Sequence, residues 1–480
     1  MIALIHNVSL TMFIALFCFA SSHAQVVNDY TPRKTYDKNS KALINSILQQ
    51  LPEELDRIKS RKRGEITQFY IERTAYLTEK VEEGVFIDDD TLQTLVQSVL
   101  RRITSNNHVK HPPKRILILK NPDVNAFCHL DGSFIVNVGL LGRIRNESGL
   151  AFAIAHEMAH FELDHIRKRI TQYVENSESR AIKRSMSTLE NDKVTIQEID
   201  SVRKFIYTFG RYSRAREKEA DSLGFVLFKN AGYNQDQAAT LLALLDSGTY
   251  LKHRIADGLF SSLNFSKFPF KSFWLTQRPR VFSKKHSNTY IFSNDSIDSH
   301  PDALMRRSIL HERVTNHDRP LNIQQTAFVN KAITIAEFES IESAYHNRLY
   351  DRCLFLALQQ FNLYPKNKYL VTTIAKVFID LLEAHEKGIF NFVVPAYTGN
   401  YSEEMRQVNN FVHNISVEEL GEVAFNFLNN QTNFDPNKSD HYYLLWKICD
   451  LTRRMQVKEK VKERYRAKFD SKDAKYNLIR

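Results

Sequence analysis

Two histidines and a glutamate stand at fixed spacing in an otherwise apolar stretch, AFAIAHEMAHFELDH at residues 151–165. Read as a helix, Leu150 to Phe161 is apolar nearly all round and belongs in a core. His156, Glu157 and His160 are costly to bury there unless something compensates them. His156 and His160 are four residues apart, so they share one helical face and can hold one metal ion. Glu157 points to a neighbouring position, from which it can polarise a water at that ion. This is the His-Glu-x-x-His arrangement of zinc peptidases.

A catalytic zinc takes three protein ligands and leaves one position open. His165 lies five residues past His160, about 140° round a 3.6-residue helix, so it reads as a packing or outer histidine. Leu163 and Ile166 stand where the longer pattern H-E-x-x-H-x-x-G-x-x-H needs Gly and His, which excludes that pattern. The better third ligand lies in SRAREKEADSLGF at residues 213–225. There Glu217 and Asp221 are four apart, and two carboxylates on one face are unfavourable on a bare helix. A zinc ion bound by Glu217, with Asp221 hydrogen-bonding a ligand imidazole, turns that repulsion into a site. Glu219 points about 160° away from Glu217 and meets solvent or a basic side chain.

The elements that must position these groups are legible in part. Ala42 to Ile58 and Ile66 to Val81 carry helical spacing, and a further helix opens at the acidic run Asp88 to Asp90. Its buried stripe is Leu92, Leu95, Val96, Val99, Leu100 and Ile103. Ile116 to Leu119 reads as a short buried strand, Asn121-Pro122-Asp123 as a turn, and Ser133 to Val138 as an alternating strand. Two strands beside a long metal-bearing helix make an α+β, mostly helical, zincin-like core with a small sheet. Residues 246–299 lack periodicity and read as a lid or insertion of that domain. The catalytic domain is expected over 25–330 and an all-α region over 335–480. Within that region Phe338 to Pro365 resembles one tetratricopeptide helix pair, with plain helix-hairpin packing as the equal rival.

The 480 residues suffice for two or three cores, and 43% apolar with 25% charged residues is ordinary for a globular chain. A net charge of +11 suits a solvated basic surface, and otherwise an acidic substrate or peripheral contact with anionic lipid. No Arg/Gly tract or basic run interleaved with aromatics is present, so nucleic acid is excluded as a partner. Residues 1–24 contain no Asp, Glu, Lys or Arg, carry the apolar core Ser9 to Ala20, and end in Ser22-His23-Ala24. They read as a cleaved signal peptide, too short to span a membrane, which needs about 20 apolar residues. The mature chain is expected to be exported, soluble and periplasmic or otherwise extracytoplasmic. Of the four cysteines Cys18 lies in the signal sequence; Cys128, Cys353 and Cys449 remain, odd in number and far apart, so they support no disulfide framework, although an oxidising compartment allows one bridge.

H-E-x-x-H followed by E-x-x-x-D resembles the gluzincin zinc metallopeptidase family of HtpX, BepA and the CAAX prenyl endopeptidases. Two longer stretches agree: NPDVNAFCHLDGSFIVNVGLL before the motif, and AREKEADSLGFVLFKNAGY after it. Ser299-His300-Pro301, with Arg306 six residues past the histidine, resembles the family's late His-Pro element. The resemblance covers residues 85–310, and the layout resembles the soluble, periplasmic BepA-type members that carry tetratricopeptide repeats. It implies one Zn²⁺ per chain on His156, His160 and Glu217, Asp221 behind them, and Glu157 as general base in peptide-bond hydrolysis. It also implies that His300 reaches the zinc, as a resting plug or as a donor to the oxyanion, with Arg306 adding positive charge. The strand Ser133, Phe134, Ile135, Val136 and Asn137 would pair with an extended substrate. The expected substrates are envelope or misfolded proteins, and the helical tail would dock an envelope complex. A zinc-stabilised chaperone or adaptor is the rival reading, but a structural zinc takes a fourth protein ligand and has no use for Glu157.

Overall fold

The structure is a computed structural model that describes residues 28–37, 39–144, 146–177, 214–246, 258–276, 303–314, 326–396 and 402–479. The signal sequence and His300 lie outside the described residues, as does most of the stretch 246–299. The described residues divide into two compact units. One contains residues 33–246 and 303–337; the other contains 28–32, 258–276 and 338–479. The division falls inside the helix Ala327–His346.

The first unit is a small sheet set among helices. Its strands are β1 (Phe86–Ile87), β2 (Arg115–Leu119), β3 (Ala126–Cys128) and β4 (Ser133–Asn137), in the order β1-β2-β4-β3. β2 and β4 run parallel, with Arg115 opposite Ser133 and Leu119 opposite Asn137. β1 and β3 are antiparallel to their neighbours. Leu117 and Ile135 pack with Ile47, Leu77, Val81 and Phe86, so the helices Lys41–Leu48 and Arg63–Glu82 cover one face. The helix Asp90–Ser105 packs on β2 and against the helix Glu147–Glu162, hereafter the motif helix. It starts as its acidic run predicts, with the Asp89 side chain accepting from the Leu92 N–H at 2.9 Å. Leu92, Leu95, Val96, Val99 and Ile103 of its stripe are buried.

One expectation is overturned here. Ser133, Phe134, Ile135, Val136 and Asn137 cannot receive a substrate strand, because β4 is already paired to β2 on one side and β3 on the other. All five residues are buried, where the alternating reading expects one solvated face. Among the described residues the sheet ends on that side at β3. Val138, read as the end of the strand, instead opens the short helix Val138–Leu141.

The second unit is all helical, as expected for the tail. Its longest helices are Tyr350–Leu363, Lys368–Glu386, Glu403–Asn414, Val417–Leu428, Ser439–Leu451 and Met455–Arg466. Three helices close with one backbone device, in which an N–H reaches back five residues to a carbonyl. The pairs are Leu349 to Ala344, Ile389 to Ala384 and Arg454 to Cys449, at 2.8–2.9 Å. Each needs a left-handed residue just before the donor, supplied by Arg348 (φ 57°), Gly388 (φ 67°) and Arg453 (φ 57°). Residues 258–276 belong to this unit. Trp274 is buried there, edge-on to Phe411, with its indole N–H on Glu419 at 3.2 Å. The side-chain amides of Asn410 and Asn414 donate to the backbone carbonyls of Trp274, Leu275 and Thr276. That explains an aperiodic sequence with an ordered structure: its backbone groups are satisfied by another element's side chains. The cysteines Cys128, Cys353 and Cys449 are free and buried. Among the described residues no helix is long and apolar enough to cross a membrane.

Candidate metal centre

The motif helix begins at Asn146, whose side chain accepts from the Gly149 N–H at 3.0 Å. From there its apolar residues are buried without a break to Ala159, which carries His156 and Glu157 into the interior. The second contributor is a helix over residues 214–230. Its far end is tied to Asp90–Ser105: Arg102 donates to the carbonyls of Ala231 and Gly232 at 2.9 and 3.1 Å. Gly224 then lets the two site helices touch. A β-carbon there would lie 2.9 Å from the His156 Cα, so a larger residue would force them apart. Glu217 and Asp221 lie on the same face as Gly224, two turns and one turn before it. The contact therefore aims both carboxylates at the motif histidines.

The donor atoms converge. His156 Nε2 and His160 Nε2 are 3.1 Å apart, and Glu217 brings its two oxygens to 3.4 Å from the first and 3.3 Å from the second. Zn–N bonds of about 2.0–2.1 Å at tetrahedral angles place neighbouring donors about 3.3 Å apart, so the set has the spacing of a zinc site. The proton arrangement agrees. His156 Nδ1 lies 3.0 Å from an Asp221 oxygen, which can only accept from it, and this leaves Nε2 bare towards the cluster. Two imidazole nitrogens and a carboxylate facing one another need a cation between them. Among the described residues this is the one group of three or more such side chains that can share an ion.

The surrounding charges hold that arrangement. Burial lowers the His156 pKa, but hydrogen bonds to Asp221 and Glu217 override it and raise it to about 10. With no metal bound, a proton therefore serves as the cation, and zinc must displace it. Burial would also raise the Asp221 carboxyl, yet Arg306 and His156 hold it down at about 2. Arg306 is 2% exposed and comes from the helix Ala303–Arg313. It donates through Nε and one Nη to the two Asp221 oxygens at 2.7 and 2.8 Å, and its other Nη lies 3.2 Å from Glu217. Its partners are thus the ligand and the carboxylate behind it.

Glu157 is 8% exposed and lines a pocket with His156, Asn125, Ala126, Leu140, Phe152, Ala153, Leu241 and Leu242. The pocket adjoins β3, the end of the sheet. His165, read from sequence as facing away from the ligands, is in contact with one: its Nδ1 is 3.0 Å from His160 Nδ1 and its Nε2 is 3.0 Å from Glu219. Glu219 is exposed, as expected, with His165 as its partner. The sequence holds no signal for the ion pair between residues 221 and 306, which is long-range. The His165 contact follows from a helix break that no Gly or Pro announces.

Residues 90–314 match the family described as Peptidase family M48. Among curated proteins, the mitochondrial metalloendopeptidase OMA1 of Arabidopsis thaliana is 24% identical over 160 residues, covering 33% of this chain and 31% of that protein. OMA1 of Schizosaccharomyces pombe is 28% identical over 156 residues, covering 32% of this chain and 43% of its own. The beta-barrel assembly-enhancing protease of Escherichia coli (strain K12) is 23% identical over 172 residues, covering 34% and 35%. The chain thus spans less than half the length of these relatives.

Proposed function

We propose, for a chain whose residues 90–314 match peptidase family M48, that it is an exported zinc endopeptidase of that family acting on extended segments of unfolded or misfolded proteins. The carrying observation is the convergence of His156, His160 and Glu217 at zinc-ligand spacing, with no fourth such donor beside them among the described residues. A three-ligand set suits catalysis, whereas a structural site closes with four. When bound, Zn²⁺ supplies Lewis acidity towards the scissile carbonyl and brings the pKa of water towards neutrality. Glu157 takes the proton of the attacking water on its carboxylate and delivers it to the leaving amine. Asp221 holds the Nδ1 proton of His156, and Arg306 holds Asp221 and Glu217 in place.

The substrate backbone adds to β3, since β4 has no edge to offer. Asn125 and Ala126 would bring such a strand past Glu157, which lines the same small pocket. The helical unit, with its short turns between paired helices, serves as a tetratricopeptide-like platform for holding proteins of the cell envelope. The relatives called beta-barrel assembly-enhancing proteases support a role beside the assembly of other proteins by their name.

The reading is tested on fluorescently quenched casein. The full chain should cleave it, lose the activity to a zinc chelator and regain it on added zinc. A zinc-loaded chain that leaves both casein and unfolded peptides intact would remove the enzyme assignment.

A further inference from the structure

The motif helix does not run on through His165. It ends at Glu162, Leu163 closes it, and Asp164 takes a left-handed conformation (φ 62°) before a second helix, His165–Ser177, begins. A non-glycine residue in that region costs about 1 kcal/mol, and Asp is among those that tolerate it best. Here the turn is braced. The Asp164 carboxylate pairs with Arg167 at 2.7 Å, and Lys168 donates to the Leu163 carbonyl at 2.9 Å. The break changes which side chains meet. On an unbroken helix His165 would lie about 140° from His160; after the turn the two Nδ1 atoms are 3.0 Å apart.

We propose that His165 and Glu219 are positioning residues for the metal ligand His160, forming an outer relay that fixes its proton and ring orientation. The inference rests on the zinc reading of His156, His160 and Glu217. Glu219 offers only acceptors, so the His165 proton sits on Nε2, 3.0 Å from the Glu219 carboxylate. His165 Nδ1 is then an acceptor and takes the Nδ1–H of His160. His160 Nε2 is left bare, facing His156 Nε2 and Glu217. One proton order along the line selects the tautomer that can bind metal.

The 214–230 helix thus reaches the metal set twice, through Glu217 directly and through Glu219 by way of His165. The two histidine arms differ in kind. The His156 arm ends in the buried Asp221–Arg306 pair, whereas the His160 arm ends in a carboxylate that is 61% exposed. Most of the hold on His160 therefore rests in the buried His165 ring.

Zinc affinity, measured on the full chain by competition with a chromophoric chelator, tests this. His165→Phe preserves ring bulk but accepts nothing, and should raise the zinc Kd about 10- to 100-fold. His165→Gln carries both an acceptor and a donor, and should recover part of the loss. Packing alone predicts the reverse order, with Phe the better replacement. Glu219→Ala sits at an exposed position where folding is not at stake, and should raise the Kd between about 3- and 10-fold. Wild-type affinity in His165→Phe or in Glu219→Ala would overturn the relay, as would Phe binding zinc better than Gln. A wild-type chain that binds no zinc would instead remove the reading beneath it.

Discussion

Glu157→Gln should keep its zinc and lose its hydrolysis, with kcat/KM on an unfolded peptide falling about 100- to 10,000-fold. The substitution is nearly isosteric and removes only the ability to take a proton. Glu157 is not among the converging donors, so the ligand geometry is preserved. It is 8% exposed, in a pocket that already contains His156, so the amide changes little of the local packing. Kinetics and metal content should be read on one preparation, because a fall in rate with a fall in zinc would point to a disturbed site. Turnover within a fewfold of wild type, with zinc bound, would exclude Glu157 as the base.

Arg306→Met should destabilise the metal-free protein by about 3–5 kcal/mol at neutral pH, since it leaves two buried carboxylates, Asp221 and Glu217, to share the single positive charge of His156. Asp221 and Glu217 are each 4% exposed, so water cannot replace the guanidinium. The pH dependence identifies the cause. The Asp221 carboxyl, held at about 2 against an ordinary 3.8, contributes stability above the ordinary value and loses it as pH falls towards 2. In Arg306→Met only His156 still opposes the effect of burial, so the carboxyl rises, protonates earlier as pH falls, and the charge penalty shrinks. The difference between the two proteins should therefore be largest near neutrality and shrink as pH falls to about 3. Urea unfolding in the presence of a chelator measures it. A difference that stays constant with pH would assign the loss to packing of the arginine stem.

The residues of the candidate metal centre were legible because their spacing is local. His156 and His160 share a face through a four-residue step, and so do Glu217 and Asp221. What was not legible depends on distance along the chain or on a break in periodicity. β1 and β3 are two and three residues long, too short to show alternation. Without them the order of the sheet is hidden, and β4 reads as an edge when it is interior. Asp164 breaks the helix in the left-handed region without a glycine, so the angle computed for His165 applied to a helix that is not there. Arg306 reaches Asp221 across 85 residues, and nothing in either segment announces the pair. Residues 258–276 lack periodicity because Asn410, Asn414 and Glu419 of the helical unit satisfy their polar groups.

The central claim is that His156, His160 and Glu217 hold one catalytic zinc. Metal content by mass spectrometry, on wild type and Glu217→Gln purified side by side without added metal, tests it most directly. The account predicts about one zinc per wild-type chain, as a three-ligand site requires, and almost none in the variant. A full complement of zinc in Glu217→Gln, or a wild-type chain that is metal-free and still cleaves casein, would contradict it.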